Sequence, residues 1–126
     1  MTEAETAWLA GLLEGEGCFS VYDKGRRKPS IVVGLCMTDK DVVLRACDLM
    51  GLNRSKVGKR SPAGRSRNQG PGRDVSRWSN SYEFKAHAAD AVRVMRAVRP
   101  YMGARRGAKI DECLASRPDL TGEETK

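Results

Sequence analysis

Small side chains recur every fourth residue near the start of the chain, at Ala7, Gly11 and Gly15. Residues four apart lie on one face of an α-helix, so these three would form a nearly bare stripe. Each glycine inside a helix costs about 1 kcal/mol relative to alanine. The compensation we expect is a second helix that approaches more closely than the ~8–10 Å of ordinary helix packing. The stripe therefore predicts a helix that packs backbone to backbone against another helix.

Two carboxylates, Glu14 and Glu16, fall in the last turn of this predicted helix, and Gly17 follows them. Glycine after a helix often adopts the left-handed conformation, so we expect Gly17 to end the helix in that way. Carboxylates at a helix C-terminus face the negative end of the macrodipole, which is unfavourable by about 0.3–1 kcal/mol each. If two such helices pack through the bare stripe, two Glu16 carboxylates converge and repel each other unless a cation lies between them. A divalent metal held by carboxylate and phosphate oxygens would remove that repulsion.

The string Leu9–Gly17 (LAGLLEGEG) resembles the LAGLIDADG signature of homing endonucleases, with glutamates replacing the aspartates and glycine replacing an alanine. The resemblance implies that two signature helices pack at a twofold axis, and that the acidic residue before the last glycine binds the catalytic metal. That role falls on Glu16, with Gly15 beside it, and the implied ion is Mg²⁺, with Mn²⁺ as the alternative. The competing interpretation is an ordinary amphipathic helix with a stripe of small residues.

The chain carries this signature once and offers no second small-residue stripe. Family proteins with one signature act as homodimers. An unpartnered stripe independently favours an isologous dimer, in which both chains use the same surface. The predicted dimer interface consists of Ala7, Ala10, Gly11, Glu14 and Gly15.

Hydrophobic spacing and turn residues predict the order helix, two strands, helix, two strands, helix, helix. This order resembles the single-motif LAGLIDADG core over about residues 5–113. It implies an α+β fold, with an αββαββα core, an antiparallel sheet saddle and an extra C-terminal helix. In the first strand we expect Phe19 to face the core and Tyr22 to face outward. The predicted elements are a helix at 2–17, strands at 18–23 and 30–37, a helix at 39–50, strands at 56–59 and 77–84, and helices at 85–98 and 102–115.

A length of 126 residues suits one domain with one core. We expect a single domain at 1–115 and a flexible tail at 116–126. The sequence has no run of about 18 apolar residues, and its acidic start, Thr2–Glu5, lacks the basic region of a secretory signal. We therefore expect a cytoplasmic protein without membrane contact, encoded by a bacterium or phage, with an organelle as the alternative.

The net charge is +7, and between residues 54 and 77 eight cations accompany a single acid, Asp74. A polyanionic partner accounts for this better than a solvated face of mixed charge. Two-stranded ribbons fit the DNA major groove, so the resemblance implies that two hairpins read double-stranded DNA there. We expect the stretch 61–74, rich in Gly, Pro, Ser and Arg, to be a long flexible loop whose arginines hold phosphates. The candidate DNA-binding residues are Tyr22, Lys24, Arg26, Arg27, Lys28, Lys59, Arg60, Arg65, Arg67, Arg73, Arg77 and Ser79, with Ser81 further along the same strand.

The segment Pro100–Arg106 resembles the part of the family that supplies a basic residue near the scissile phosphate. Arg105 lies nearest that position, Arg106 is second and Lys109 is the alternative. Arginine stabilises phosphoryl charge but cannot act as a base. The competing interpretation is that all three only cap or solvate a helix. Cys36 falls where many family members carry a glutamine that orients the attacking water, and cysteine is a poor substitute for an amide.

We therefore expect a homodimeric, site-specific endonuclease that hydrolyses double-stranded DNA with a divalent metal, from an intron, an intein or a free-standing mobile element. The alternative is a DNA- or intron-RNA-binding protein of the same fold that does not cut. Cys36 and the absence of a lysine at the position of Arg105 favour that alternative. A third class, a small basic RNA-associated structural protein, predicts a monomer without sequence preference.

Overall fold

The structure is a computed structural model, and it describes residues 1–22, 28–61 and 80–122. Over these residues the chain is α+β, with four strands and five helices, which confirms the predicted fold class and the order of its core elements. None of the described helices is long and apolar enough to cross a membrane. Most of the predicted loop at 61–74, and the predicted start of the fourth strand at residue 77, lie outside the described residues. The elements are α1 (Glu3–Glu16), β1 (Gly17–Tyr22), β2 (Ser30–Met37), α2 (Lys40–Leu49), β3 (Gly58–Arg60), β4 (Ser81–His87), α3 (Ala88–Val98), α4 (Ala104–Ala115) and α5 (Pro118–Thr121), with 3₁₀ turns at Arg54–Lys56 and Arg99–Tyr101.

Helix α1 begins with a capping box. The hydroxyl of Thr2 accepts a hydrogen bond from the backbone N–H of Glu5 (3.0 Å), and the Glu5 carboxylate accepts one from the backbone N–H of Thr2 (2.7 Å). Two backbone donors at the helix start therefore have partners. Further along, Leu9 and Leu13 are fully buried, so one side of α1 is part of the core.

The helix ends at Gly17, but the predicted left-handed conformation is wrong. Gly17 is extended (φ −79°, ψ 166°) and is the first residue of β1. A Cβ atom at this position would lie 2.7 Å from Cδ2 of Leu13 and 2.8 Å from its carbonyl oxygen, closer than real Cβ atoms approach. Close packing of β1 on the last turn of α1, rather than backbone handedness, is the physical reason for this glycine.

The four strands form one sheet in the order β1-β2-β4-β3. Strands β1 and β2 are antiparallel, with Phe19 opposite Val33 and Ser20 opposite Val32. Residues directly opposite each other share a face of the sheet. The buried pair Phe19 and Val33 therefore marks the inner face. Ser20 and Tyr22 lie on the opposite, outer face, where Val32 is buried and Tyr22 is 51% exposed. The predicted orientation of Phe19 and Tyr22 is confirmed.

The chain divides into two compact units, Met1–Leu35 with Lys85–Lys126, and Cys36–Phe84. In the first unit, α4 contacts β1, and α1 contacts both α3 and β1. The expectation that residues 1–115 form one domain stays a prediction. The buried hydrophobic residues of this unit include Leu9, Leu13, Phe19, Ile31, Val33, Leu35, Ala91, Val94, Met95, Val98 and Ile110.

In the second unit, α2 packs beside the 3₁₀ turn at Arg54–Lys56. Gly51 has φ 73° and follows α2, so the predicted glycine stop is confirmed here. The thiol of Cys47 lies 3.7 Å from the carbonyl oxygen of Leu52, and burial raises the pKa of this thiol. The buried hydrophobic residues of this unit are Val43, Ala46, Cys47, Met50, Leu52 and Phe84.

Two predicted helix starts are wrong by a few residues. Lys85–His87 continue β4, because Phe84 and Ala86 alternate into the core as a strand requires, and α3 begins only at Ala88. Helix α4 begins at Ala104 rather than at residue 102, after the 3₁₀ turn that contains Pro100. At residues 85–87 the pairing and burial of β4 outweigh helical propensity, and at residues 102–103 the chain is still leaving the 3₁₀ turn.

The described part of the predicted C-terminal tail has defined structure. Pro118–Thr121 form α5, and Thr121 is buried. Arg96 donates a hydrogen bond to the carbonyl oxygen of Thr121, and Arg117 donates one to the carbonyl oxygen of Pro29 (2.7 Å). The expectation of a flexible tail is therefore wrong for residues 117–121. Residues 123–126 lie outside the described part of the chain.

Candidate active site at the end of the first helix

Glu16, the residue expected to bind metal, is the last residue of α1 and is exposed. Within the described ranges its carboxylate has no ion pair or side-chain hydrogen bond. Gly15, directly before it, is also exposed, and a Cβ built there would have no described atom within 4 Å. The end of α1 therefore presents an exposed carboxylate that no described side chain pairs with.

Glu14 has a different environment, although it lies only two residues earlier. Its Oε1 accepts a hydrogen bond from the backbone N–H of Gly103 (2.6 Å), and its Oε2 lies 3.7 Å from Nε of Arg106. Gly103 is the N-cap of α4, where backbone N–H groups lack helical partners. Glu14 thus joins the end of α1 to the start of α4, a role that the sequence prediction of a dimer contact missed.

Arg106 is the most enclosed of the predicted basic residues, with a side chain 17% exposed. Its Nη1 donates a hydrogen bond to the carbonyl oxygen of Gly17 (2.6 Å), and its guanidinium lies 5.9 Å from the centre of the Phe19 ring. Its Nε is buried without a hydrogen-bond partner among the described residues. Because Gly17 directly follows Glu16, Arg106 fixes the backbone at the candidate metal ligand.

Arg105 and Lys109 line an open cavity of about 380 Å³ beside these residues, together with Cys18, Phe19, Arg106, Ala108 and Glu112. Lys109 Nζ lies 3.1 Å from the Glu112 carboxylate, and this hydrogen bond raises the pKa of Lys109. Lys109 therefore stays protonated near neutral pH and is unsuited to act as a general base. The structure brings together all three predicted basic residues, with Arg105 and Lys109 open to solvent.

The outward face of α1 carries three of the predicted interface residues. Ala7, Gly11 and Gly15 are exposed, and no atom of the described residues lies within 4 Å of a Cβ built at either glycine. Ala10 is 1% exposed, so the prediction that it contacts a second chain is wrong. Position 10 follows the buried Leu9 around the helix and belongs to the inward face.

The described ranges contain no cluster of three or more His, Cys, Asp or Glu side chains suited to holding a metal ion. Mg²⁺ prefers six oxygen ligands and usually keeps several waters beside one or two carboxylates and substrate phosphates. A single exposed carboxylate at Glu16 fits one part of such a shell. The remaining ligands would have to come from water, a phosphate or a second chain.

Among the candidate DNA-binding residues, Tyr22 lies on the outer face of the sheet, and Lys28 is 3.2 Å from Asp119. Lys59 and Arg60 are exposed neighbours in β3, and Nε of Arg60 lies 3.9 Å from the Glu83 carboxylate. The remaining candidates lie outside the described residues: Lys24, Arg26, Arg27, Arg65, Arg67, Arg73, Arg77 and Ser79.

The second unit corrects one expectation and adds one feature that the sequence did not indicate. Ser81 is 4% exposed, so the expectation that it reads base edges is wrong. Lys59 lies opposite Tyr82 in the β3–β4 ladder and lines a cavity of about 360 Å³ with it. Lys40, over the Tyr82 ring at 5.6 Å, lines the same cavity, a basic concavity that the sequence did not indicate.

No protein-family model matches this sequence, and no curated protein matches it either. Solved structures do match. The homing endonuclease I-CvuI, in complex with a DNA target, has a TM-score of 0.61 at 15% identity over 96% of this chain and 75% of I-CvuI. The archaeal intron-encoded homing endonuclease I-Vdi141I, complexed with DNA, has a TM-score of 0.55 at 13% identity over 98% of this chain and 86% of its own.

The LAGLIDADG homing endonuclease I-GzeII, in complex with a DNA target, has a TM-score of 0.62 at 15% identity over the whole of this chain. This chain spans 40% of the length of I-GzeII. The three similarities together define the architecture: this chain has the LAGLIDADG homing-endonuclease fold. The resemblance inferred from residues 9–17 is confirmed at the level of the fold.

Proposed function

We propose that this protein is a homodimeric endonuclease that hydrolyses double-stranded DNA with a divalent metal, Mg²⁺ by preference and Mn²⁺ as the alternative. The observation that carries the proposal is Glu16, an exposed carboxylate with no side-chain partner among the described residues, at the end of a helix whose outward face carries small residues. A carboxylate in that place is unfavourable to the helix dipole. An external cation is the partner that offsets this.

The second chain supplies what one chain lacks. Packing of two α1 helices through Ala7, Gly11 and Gly15 brings two Glu16 carboxylates close together. Two carboxylates so close together repel each other, and a divalent cation between them would relieve this repulsion. The phosphate oxygens of bound DNA would supply further ligands for the same cation. Glu14 is already held by Gly103 and Arg106, so Glu16 is the carboxylate left for the metal.

A bound divalent metal would supply an activated water and would neutralise the leaving oxygen of the phosphodiester. The protein's own residues have separate tasks. Arg105 and the protonated Lys109 stabilise negative charge on the phosphate from the adjacent cavity. Arg106, through Gly17 and Glu14, holds the end of α1 in place and so positions Glu16.

DNA binding is supported by the fold and by the charge of the chain. I-CvuI, I-Vdi141I and I-GzeII are each in complex with DNA. The outer face of β1 and β2 presents Ser20 and Tyr22, side chains that suit contacts to base edges and phosphates. A net charge of +7 favours a polyanion. We expect the protein to act in the cytoplasm of a bacterial host or a phage-infected cell, with an organelle as the alternative.

A second candidate is a protein of the same fold that binds DNA or intron RNA without cutting. Cys36 is exposed where a water-orienting amide was expected, and Arg106 is engaged within the chain. Both observations reduce the number of side chains that could take part in phosphodiester hydrolysis. Neither affects a surface that only binds DNA or RNA.

Selection of cleaved sites from a random duplex DNA library separates the two candidates. The endonuclease proposal predicts enrichment of a near-palindromic site when Mg²⁺ is present, and recovery of the same site as uncut bound DNA in Ca²⁺. Enrichment of bound DNA without cutting in Mg²⁺ or Mn²⁺ would favour the non-cleaving protein. Failure to enrich any DNA would overturn the endonuclease and the DNA-binding form of the second candidate, and would leave only binding of intron RNA.

A further inference from the structure

The segment before and within α5 contacts the start of β2 through Arg117. Its Nη1 donates a hydrogen bond to the carbonyl oxygen of Pro29 (2.7 Å), the residue just before β2. Its Nε and Nη2 donate to the two carboxylate oxygens of Asp119, each at 2.9 Å. The Arg117 side chain is only 15% exposed. One guanidinium therefore joins the C-terminal segment to the turn end of the β1–β2 hairpin.

Asp119 has a second cationic partner on that hairpin. Its Oδ2 also accepts a hydrogen bond from Nζ of Lys28 (3.2 Å), a residue expected to contact DNA. The two hydrogen bonds from Arg117, and then that from Lys28, hold the pKa of Asp119 far below its ordinary range. The carboxylate is therefore charged at any pH at which DNA binding would be measured.

We propose that Arg117 and Asp119 form a brace that positions the start of β2 and holds Lys28 until a DNA phosphate replaces Asp119 as its partner. This inference rests on the proposed DNA binding. In this inference, Arg117 and Asp119 are positioning residues. Without DNA, the Asp119 carboxylate binds the Lys28 ammonium in the way that a DNA phosphate would. Neither role was visible in the sequence, since Lys28 and Asp119 are distant along the chain.

The two halves of the brace differ in how readily they exchange. The Lys28 side chain is 66% exposed, and exposed ion pairs are weak and screened by salt. The bonds from Arg117 are bidentate, charge-assisted and largely enclosed, so they persist. Arg96 holds the same segment through the carbonyl oxygen of Thr121. Lys28 can thus leave for a phosphate while the positioning of β2 is retained.

Because Asp119 competes with phosphate for the Lys28 ammonium, it lowers the affinity of the protein for any polyanion. Lys28 gains a phosphate only where the DNA lies close enough to displace the carboxylate. Because duplex DNA of any sequence offers phosphates, the exchange lowers affinity without selecting a sequence, and random-sequence DNA can reveal it.

The affinity of Asp119→Asn for random-sequence duplex DNA, measured across a range of salt concentrations, tests the exchange. Asp90→Asn is the matched control, since it removes an exposed carboxylate paired with an arginine elsewhere on the chain. We expect Asp119→Asn to raise affinity several-fold more than the control does, and to lose this excess when Lys28→Gln is also present. Lys28→Gln alone should flatten the slope of log affinity against log salt by about 0.9, the value for one phosphate contact.

An equal gain from Asp119→Asn with and without Lys28→Gln would overturn the exchange, because the effect would then be general charge. An unchanged salt slope in Lys28→Gln would overturn it too. If the unmodified protein binds no duplex DNA, the proposed function fails, and the exchange fails with it. That result is distinct from binding without coupling between positions 28 and 119.

Amide hydrogen exchange without DNA tests the positioning half of the brace independently. Arg117→Gln should accelerate exchange of Ser30–Val32, at the start of β2, while Arg93→Gln should leave these amides unchanged. Equal exchange in the two variants would overturn the positioning role.

Discussion

The two faces of α1 differ in their contacts: the residues of the inward face pack within this chain, whereas the small residues of the outward face are exposed. On the inward face, Leu9, Ala10 and Leu13 are buried, and Glu14 is bonded to the start of α4. On the outward face, the small residues and Glu16 are exposed, and the two helical glycines have open space where a Cβ would be. The inward residues are explained by the folding of one chain. The outward residues weaken the helix, and within the described residues nothing compensates for that.

This contrast shows how two chemically similar residues on one helix come to have different roles. Glu14 and Glu16 are both carboxylates at the same helix end. Glu14 has a backbone N–H and a guanidinium beside it, so it stabilises the fold. Across residues 1–22, 28–61 and 80–122, Glu16 has no such partner, and we propose that its role is to bind metal. Substitutions at inward positions should therefore change the stability of the fold, whereas those at outward positions should change dimerisation or cleavage.

Glu16→Gln has the largest expected effect. It keeps the size of the side chain but removes the charge that a metal ligand needs, so cleavage should fall by about a thousandfold, while DNA binding in Ca²⁺ is retained. Plasmid cleavage with Mg²⁺ and binding with Ca²⁺ measure the two quantities. Glu3→Gln, at the exposed other end of α1, is the control and should cleave normally. Full cleavage by Glu16→Gln would remove the metal role.

Gly11→Leu should weaken the dimer by about a hundredfold or more, because two leucine side chains would enter one close helix contact. The isolated chain should remain folded, since no atom lies within 4 Å of a Cβ at this position. Sedimentation measures the mass, and circular dichroism checks the fold. A dimer of unchanged affinity would show that the stripe is not the interface.

Arg106→Gln should lower the free energy of unfolding by about 1.5–3 kcal/mol, because it breaks the charged contacts to Gly17 and Glu14. Lys109→Gln should change stability far less, since its pair with Glu112 is exposed. Lys109→Gln should nevertheless slow cleavage. Urea denaturation and plasmid cleavage measure the two effects, and equal stability of the two variants would contradict the assignment of Arg106 as the positioning residue.

The smallest expected effect separates two glycines only two residues apart. In the monomeric Gly11→Leu protein, Gly15→Ala should raise stability by about 0.5–1 kcal/mol, because it adds helix propensity in open space. Gly17→Ala should lower stability, because its Cβ would collide with Leu13. Urea denaturation compares them. Stabilisation by both substitutions would contradict the close packing at Gly17.

Local rules predicted the parts of the fold that depend on neighbours in sequence. The capping box at Thr2, the bounds of β2 and the stop at Gly51 all follow from side-chain chemistry within a few residues. The handedness of Gly17 was wrong because its reason is contact with Leu13. The structure of residues 117–121 was missed because Arg117 finds its partner at Pro29, far along the chain.

The same limit applies to the candidate site: features that depend on one segment of sequence were predicted, and contacts between distant segments were not. Exposure of Glu16 and the grouping of Arg105, Arg106 and Lys109 followed from the signature and from the segment that resembles its family counterpart. The different tasks of Glu14 and Arg106 did not, because they depend on how α1 and α4 pack. Spacing in sequence identifies which groups share an element, whereas long-range packing decides which of them are already occupied.

Cysteine cross-linking across α1 tests the proposed pairing of outward faces most directly. With the exposed Cys18 and Cys36 replaced by serine, Gly11→Cys would place two thiols at the closest approach of the helices, where Cα atoms about 4.4–6.8 Å apart permit a disulfide. Mild oxidation should convert this variant almost completely to a covalent dimer that is cleaved by reductant, whereas Asp90→Cys, on α3, should remain monomeric on denaturing gels. Absence of a covalent dimer in Gly11→Cys, or equal cross-linking of the two variants, would contradict the meeting of two α1 helices.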